Sequence, residues 1–299
     1  MANKPLISPR WPKIIEGSTL AFIGEARLVH QEQITPTEIT LFGYKYRLTV
    51  EIHPEQALFG SLPDVTLLFQ GETELPPDQR KTLYNPQFPP DILRIIAFWD
   101  YALPDTTQPV LVVQQEPAIL RLLSGPDDDL LDAIRLIHHW TKLSEAEQQR
   151  AVLDDLAKPG QSPVAYLGGF QLLMDTTSDL PGLFKTFTTL PDVPGASVQG
   201  IVDELYWVSL ELSQHDIERL ARQLLNGWSQ ENYPAALSSY MLWFSAYGQW
   251  TWQKDQRMKE EILAQLKRTR NLSFSGPYAK AWEQQVYYYA SSILALIES

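Results

Sequence analysis

Histidine and carboxylate are the side chains through which this chain of 299 residues could run acid–base or metal chemistry, because it contains no cysteine. The missing thiol removes nucleophilic cysteine, disulfides, Cys-ligated zinc and iron–sulfur clusters. Of the five histidines, only His138 and His139 are neighbours. On a helix, adjacent side chains point about 100° apart and cannot share one metal in the usual way. The positions three or four residues away hold Ile134, Arg135, Thr141, Lys142 and Leu143, which supply no further ligand. A hydrogen bond near the end of a helix is the better reading. His30, His53 and His215 are isolated. Asp127-Asp128-Asp129 opens a helix, where negative charge favours the macrodipole, and Asp154-Asp155 and Glu260-Glu261 read as solvated helix-face charges. A glycosidase needs two carboxylates at a set separation across a cleft, which linear sequence does not display. Nucleophile elbows, phosphate-binding glycine loops, H-E-x-x-H and EF-hand patterns are absent. No catalytic residue, metal ligand or cofactor is therefore assigned. Gly168-Gly169 lies inside a helical pattern and suits a close helix approach or a kink better than a phosphate cradle.

Aromatic residues are the more informative feature. Tyr240, Trp243, Phe244 and Tyr247 recur at i, i+3, i+4 and i+7, with Trp250 and Trp252 beyond them. Trp282 and the triplet Tyr287-Tyr288-Tyr289 form a second cluster. A stripe at helical spacing favours a core, whereas three successive tyrosines point in three directions, so at least one should meet solvent or a groove. Tyrosine and tryptophan are enriched at protein interfaces. The candidate binding residues are thus Tyr240, Trp243, Tyr247, Trp250, Trp252, Trp282, Tyr287, Tyr288 and Tyr289. Lys267, Arg268 and Arg270 form a basic cluster that suits the last turn of a helix, where cations meet free carbonyls.

The elements that must position these residues divide near Gly125-Pro126. Fourteen of 22 prolines precede that point, and the apolar period changes there. Residues 1–125 read as five or six short strands. Leu20 to Val29 alternates after Gly24, and Tyr44, Tyr46, Leu48, Val50 and Ile52 share a face. A change of phase at Gly43 suggests a bulge or a break between two strands. Val65 to Phe69, Ile92 to Trp99 and Val110 to Val113 follow, the second preferred as a strand over a helix for its isoleucines and aromatics. Strands between proline-rich turns favour a small barrel or sandwich. Residues 126–299 read as helices, with starts at Asp127, Ser144 (a capping box with Glu147), Ser162-Pro163, Asp179, Ala196, Ser213, Ser229, Gln253 and Ser275-Gly276-Pro277, and a stop at Asn226-Gly227. Starts about 17 residues apart suggest stacked helical hairpins, an α-solenoid-like array. The expected fold is α+β: an OB-like barrel or sandwich over 1–125, then an all-α helical-hairpin domain over 126–299.

Ala21-Phe-Ile-Gly-Glu-Ala-Arg-Leu-Val, then Tyr46-Arg-Leu-Thr-Val-Glu-Ile, then Ala57-Leu-Phe-Gly-Ser-Leu-Pro-Asp-Val-Thr-Leu resembles the opening of bacterial netrin/TIMP-like β-barrels of the OB type. In that pattern a "GxV" strand precedes a Y-x-x-x-V-E strand, an L-x-G turn and a V-x-L strand. Such barrels are sometimes followed by HEAT-like helices, and Leu131 to Met174 is similar to that arrangement. The resemblance spans roughly residues 18–175, departs from the family in lacking cysteine and a leader, and implies a fold rather than an activity or any functional residue.

The net charge of −12 argues against general affinity for nucleic acid or anionic membrane, since both polyanions would be repelled. No apolar run approaches the roughly 20 residues a membrane span needs, and Met1 to Pro12 lacks a signal-peptide pattern. As written the chain reads as cytoplasmic, or as exported if Met1 replaces a removed leader. Together these features point to a non-catalytic, scaffolding protein that binds a protein or peptide. The rival is a carboxylate-dependent hydrolase with Trp243, Trp250 or Trp252 as a stacking platform for a carbohydrate or other polar substrate. An RNA-binding OB-like module would need exposed aromatics beside Lys45 and Arg47, against ten basic and 14 acidic residues in the first 125.

Overall fold

A computed structural model describes residues 10–33, 44–62, 67–75, 93–99, 110–112, 120–122, 128–191, 193–276 and 278–298. Two compact units divide after Thr141. The first, from Trp11 to Thr141, contains helix α1 (Trp11–Glu16), strands β1 (Leu20–Gln33), β2 (Tyr44–Phe59), β3 (Leu67–Leu75), β4 (Leu93–Trp99), β5 (Val110–Val112) and β6 (Leu120–Leu122), and helix α2 (Asp128–Thr141). They form one mixed sheet in the order β5-β3-β2-β1-β4-β6, in which β3 and β5 run parallel and every other pair is antiparallel.

The sheet is open. Its outer strands β5 and β6 are not paired with each other among the described residues, so the closed barrel or two-sheet sandwich expected from the sequence is replaced by a single sheet. Strands β1 and β2 are 14 and 16 residues long rather than short. Their pairing accommodates that length through register shifts at Ala21/Phe22, Ile23/Gly24 and Leu28/His30. Gly24 marks the middle of these irregularities: a Cβ there would lie 2.5 Å from the backbone carbonyl oxygen of His53, so only glycine permits this strand approach. The expected bulge at Gly43 lies outside the described residues.

Ala21, Phe22 and Ile23 are buried in succession, so β1 is covered on both faces, as a central strand requires. Ile52, Ile96, Ala97 and Phe98 join them in the core. Helices α1 and α2 pack on each other, and α2 also meets β2. The Trp11 ring centre lies 6.2 Å from that of Phe98, and Phe59 stacks on His138 at 4.0 Å with planes 3° apart. Through these contacts α2 belongs to the compact unit of the sheet, although its sequence period is that of the helical half. Gly125-Pro126, where the sequence reading places the boundary, lies outside the described residues.

Among the described residues, the second unit forms helices α3 (Glu145–Leu156), α4 (Pro163–Met174), α5 (Leu180–Thr188), α6 (Gly195–Val208), α7 (Gln214–Gln230), α8 (Pro234–Ala246), α9 (Gln256–Arg270) and α10 (Ala279–Glu298). The expected starts at Ser144, Ser162, Asp179 and Ser213 coincide with these helices. Ser144 forms the capping box with Glu147, and the side chains of Ser162, Asp179 and Ser213 accept backbone N–H groups of the first turn. Asp255 does the same for α9 through the Met258 N–H. The stop expected at Asn226-Gly227 does not occur, and α7 continues through Ser229 to Gln230. Gly227 instead lies under Tyr240, whose hydroxyl would be 2.6 Å from an added Cβ.

Contacts between these helices skip along the chain. Helix α4 packs on α6, α6 on α8 and α8 on α10, while α5 packs on α7 and α7 on α9. The even helices make one row and the odd helices a second, joined by α3–α4, α4–α5, α7–α8 and α9–α10 contacts. Helix α4 is buried all round from Ala165 to Met174, Gly168-Gly169 included, in keeping with a sequence that carries no charged residue. Among the described residues, no helix is long and apolar enough to cross a membrane.

Candidate functional site

The aromatic stripe of α8 is core. Tyr240, Trp243, Phe244 and Tyr247 are at most 2% exposed, and Trp252 is also buried. Each polar tip shown here is tied inside the unit. Trp243 Nε1 donates to Ser209 Oγ at 3.1 Å, Trp252 Nε1 to the Phe244 carbonyl at 3.2 Å, and the Tyr247 hydroxyl to the Tyr206 carbonyl. Burial pushes the Tyr247 hydroxyl up to about 12, and the nearby Tyr206 reinforces the shift. Tyr240, Trp243, Tyr247 and Trp252, candidate binding residues in the sequence reading, thus lie in the core, where α6 and α7 pack against α8. Trp250 and Trp282 are half-buried.

The tyrosine triplet divides as helical geometry demands. Tyr287 is 56% and Tyr288 69% exposed, while Tyr289 is half-buried with its ring edge against Tyr288. The inward side of α10 consists of Val286, Ala290, Ile293, Leu294 and Ile297. Directly opposite, Ala281, Gln285, Tyr288, Ser292 and Leu296 are all exposed and all uncharged. Tyr278, just before α10, is 71% exposed. Large apolar side chains on one uncharged face are the kind of surface that binds another protein.

The basic cluster has an internal duty. Arg268 Nη2 donates to the carbonyls of Trp228 at 2.7 Å and Glu231 at 3.2 Å, closing the C-terminal end of α7.

A cleft of about 380 Å³ lies beside Trp250, lined by Glu218 and Arg222 of α7 and by Lys254, Asp255 and Arg257 at the start of α9. Two carboxylates therefore stand next to a tryptophan, as a hydrolase would require. Both have structural engagements. Asp255 caps α9 with Oδ1 and meets Arg222 through Oδ2 at 3.2 Å, and Glu218 accepts from Gln214 at 2.8 Å.

The sequence reading missed Asp203 and Glu204, adjacent on α6. Glu204 is 6% exposed and accepts a 2.6 Å hydrogen bond from the amide of Gln171 on α4. Burial holds its carboxyl above the ordinary 4.5; Gln171 and Arg10 oppose the shift, while Asp175 and Asp203 add to it. Arg10 is itself 3.5 Å from Asp175. Asp203 is likewise raised by burial, against hydrogen bonds from Ser239 and Gln199. Because these carboxyls hold their protons more tightly folded than unfolded, their favourable contribution is complete below about pH 4 and is lost as pH rises through the folded values. Glu204→Gln, which keeps an acceptor for Gln171, should therefore melt at a higher temperature than the native chain at pH 7.5. The two curves should converge near pH 4. An equal or lower melting temperature at pH 7.5 would contradict the burial argument. The separation of 33 positions between Gln171 and Glu204 explains why no local pattern announced the pair.

Among the described residues, no group of three or more His, Asp or Glu is placed to hold a metal ion. No protein family, curated protein or solved structure matches the chain.

Proposed function

We propose that this chain is a protein- or peptide-binding scaffold, an OB-like sheet module joined to an α-solenoid-like stack of helical hairpins, and that it engages its partner through the outward face of α10 and the adjoining Tyr278. The observation that carries this reading is the exposure of Tyr288 and Leu296 on one face of α10 with no charge along its centre, together with Tyr278 just before the helix. The two rows of helices support the solenoid description, since the main contacts of each described helix from α4 to α10 are with helices one or two places along the chain. The order β5-β3-β2-β1-β4 supports the OB-like description, and with it the resemblance to netrin/TIMP-like domains. OB barrels are five-stranded and partly open; here β6 lies on the outer edge of β4, so closure would join β5 to β6. The structural engagements of Glu218 and Asp255 favour binding over hydrolysis at the cleft beside Trp250.

The test is a photo-crosslinking amino acid placed at Tyr288 of the full chain in its native host. It should give a discrete covalent adduct that is absent when the same group replaces Arg150 on α3 and is much reduced when Leu296 is also changed to Asp. If positions 278, 287 and 288 all yield no adduct above the Arg150 background, the α10 face is not a binding surface.

A further inference from the structure

The cleft beside Trp250 holds more unused hydrogen-bond donors than acceptors. We propose that it binds an aromatic phosphate monoester, a ligand of the mononucleotide class, with the ring on Trp250 and the phosphate among Arg222, Lys254 and Arg257. At about 380 Å³ the cleft falls within the roughly 300–1,000 Å³ of small-molecule sites. All of its lining belongs to the helical unit, so the proposal stands independently of the reading of α10.

The balance of donors and acceptors sets the sign of the ligand. Asp255 has both carboxylate oxygens engaged, Oδ1 with the Met258 N–H at 3.1 Å and Oδ2 with Arg222 Nη2 at 3.2 Å. Glu218 spends Oε1 on the Gln214 amide. Arg257 uses only Nε, on Glu261 at 3.0 Å, and Glu261 is not part of the lining. Among the described residues, the Lys254 ammonium, both Nη groups of Arg257 and the Trp250 indole N–H have no partner. Against them stands one spare carboxylate oxygen, on Glu218. The N-terminus of α9 is not the attraction, since Asp255 caps it with a negative charge.

Three cations and two carboxylates leave the lining one positive charge in excess. A phosphate monoester brings close to two negative charges at pH 7 and three acceptor oxygens, enough for cations supplied by α7, α9 and the connection before α9. A single carboxylate matches that set less well, and the planar fork of arginine suits phosphate oxygens. The apolar half of the site is Trp250, half-buried with its ring 5.9 Å from that of Tyr247, and the buried Met258. A flat ring stacks on an indole whatever its identity, so the site reads ring and phosphate rather than one base. The chain's net charge of −12 does not cancel this, because charges more than about 8 Å away are largely screened at physiological salt. All three cations are exposed, so each contact is weak. The dissociation constant is accordingly on the order of 0.1 mM.

The experiment titrates the full chain with adenosine 5′-monophosphate, read by calorimetry and by the indole N–H resonance that Trp250→Phe removes. That resonance should shift and saturate, and binding should weaken at least threefold on raising the salt from about 50 to 300 mM. Adenosine and inorganic phosphate, each filling half of the site, should bind at least tenfold more weakly. Lys254→Gln combined with Arg257→Gln should cost at least tenfold in affinity. Glu218→Gln, which removes the spare carboxylate, should tighten binding about threefold, a gain that a damaged fold does not imitate. A Trp250 resonance unmoved by millimolar nucleotide overturns the proposal, as does binding that the paired substitution leaves unchanged, since the ligand then sits elsewhere. Adenosine binding as tightly as its phosphate would leave the cations without a role, and inorganic phosphate binding as tightly would leave Trp250 without one; either result overturns it.

Discussion

Trp228→Ala should destabilise the helical unit by about 3–5 kcal/mol, the cost typical of removing a large aromatic from a closed core. Trp228 is fully buried, and its ring stacks on Phe244 at 5.5 Å and lies parallel to Tyr240 at 6.4 Å. It also fixes three elements. Its Nε1 donates to Thr269 Oγ1 on α9 at 3.0 Å, and its carbonyl receives Arg268, while the stack reaches into α8. Alanine leaves both a void and a buried hydroxyl without its donor, and α7, α8 and α9 loosen together. Trp228→Phe should retain most of the packing and lose about 1–2 kcal/mol, the order of an unmade buried hydrogen bond. Urea denaturation followed by circular dichroism measures both, with hydrogen exchange to locate the loss. A change below about 1 kcal/mol for the alanine variant would show that the α8 aromatics are not held as described.

Gly24→Ala should cost the sheet unit about 3 kcal/mol, at the upper end of ordinary overpacking. The obstruction is backbone rather than a movable side chain: the new methyl would sit 2.5 Å from the His53 carbonyl oxygen and 3.2 Å from the Pro54 Cα. Relief requires β1 and β2 to move apart at the point where their register already shifts. Backbone amides of β1 from Leu20 to Ala26 and of β2 from Ile52 to Phe59 should lose exchange protection, together with the β4 amides paired to β1. Unchanged protection there would mean that the strands can separate at no cost. An alanine at Gly160, where nothing lies within 4 Å of the added Cβ, is a control for space, although its φ of +82° carries backbone strain of its own.

What could be read from the sequence was what is local. Ser144, Ser162, Asp179 and Ser213 announce helices because a cap and its N–H partners are three residues apart. Leu93–Trp99 could be told from a helix by its branched and aromatic content. The failures are contacts made at a distance. Asn226-Gly227 has the composition of a helix stop, but the glycine is there for the Tyr240 hydroxyl, which no neighbouring residue reveals. Helix α1 is absent from the sequence reading, although a proline in its first turn suits a helix; its place is held by Trp11 against Phe98, a contact made at a distance. Whether β5 and β6 meet is decided by the curvature of a whole sheet. The periodicity of α8 correctly indicates one aromatic side, but spacing alone leaves open whether that side meets a neighbour or a ligand. Tyr287-Tyr288-Tyr289 needed no neighbour, because three consecutive positions on a helix cannot all face inward.

The alternation of rows in the helical unit sets how such a chain can change length. Each helix from α4 to α10 takes its row from whether its place in the order is even or odd. Loss or gain of a single helix would reverse that parity for everything after it, turning every later buried stripe toward solvent. Two adjacent helices can be added or removed with the rows preserved. Growth by one hairpin at a time, about 34 residues, is the increment this architecture tolerates.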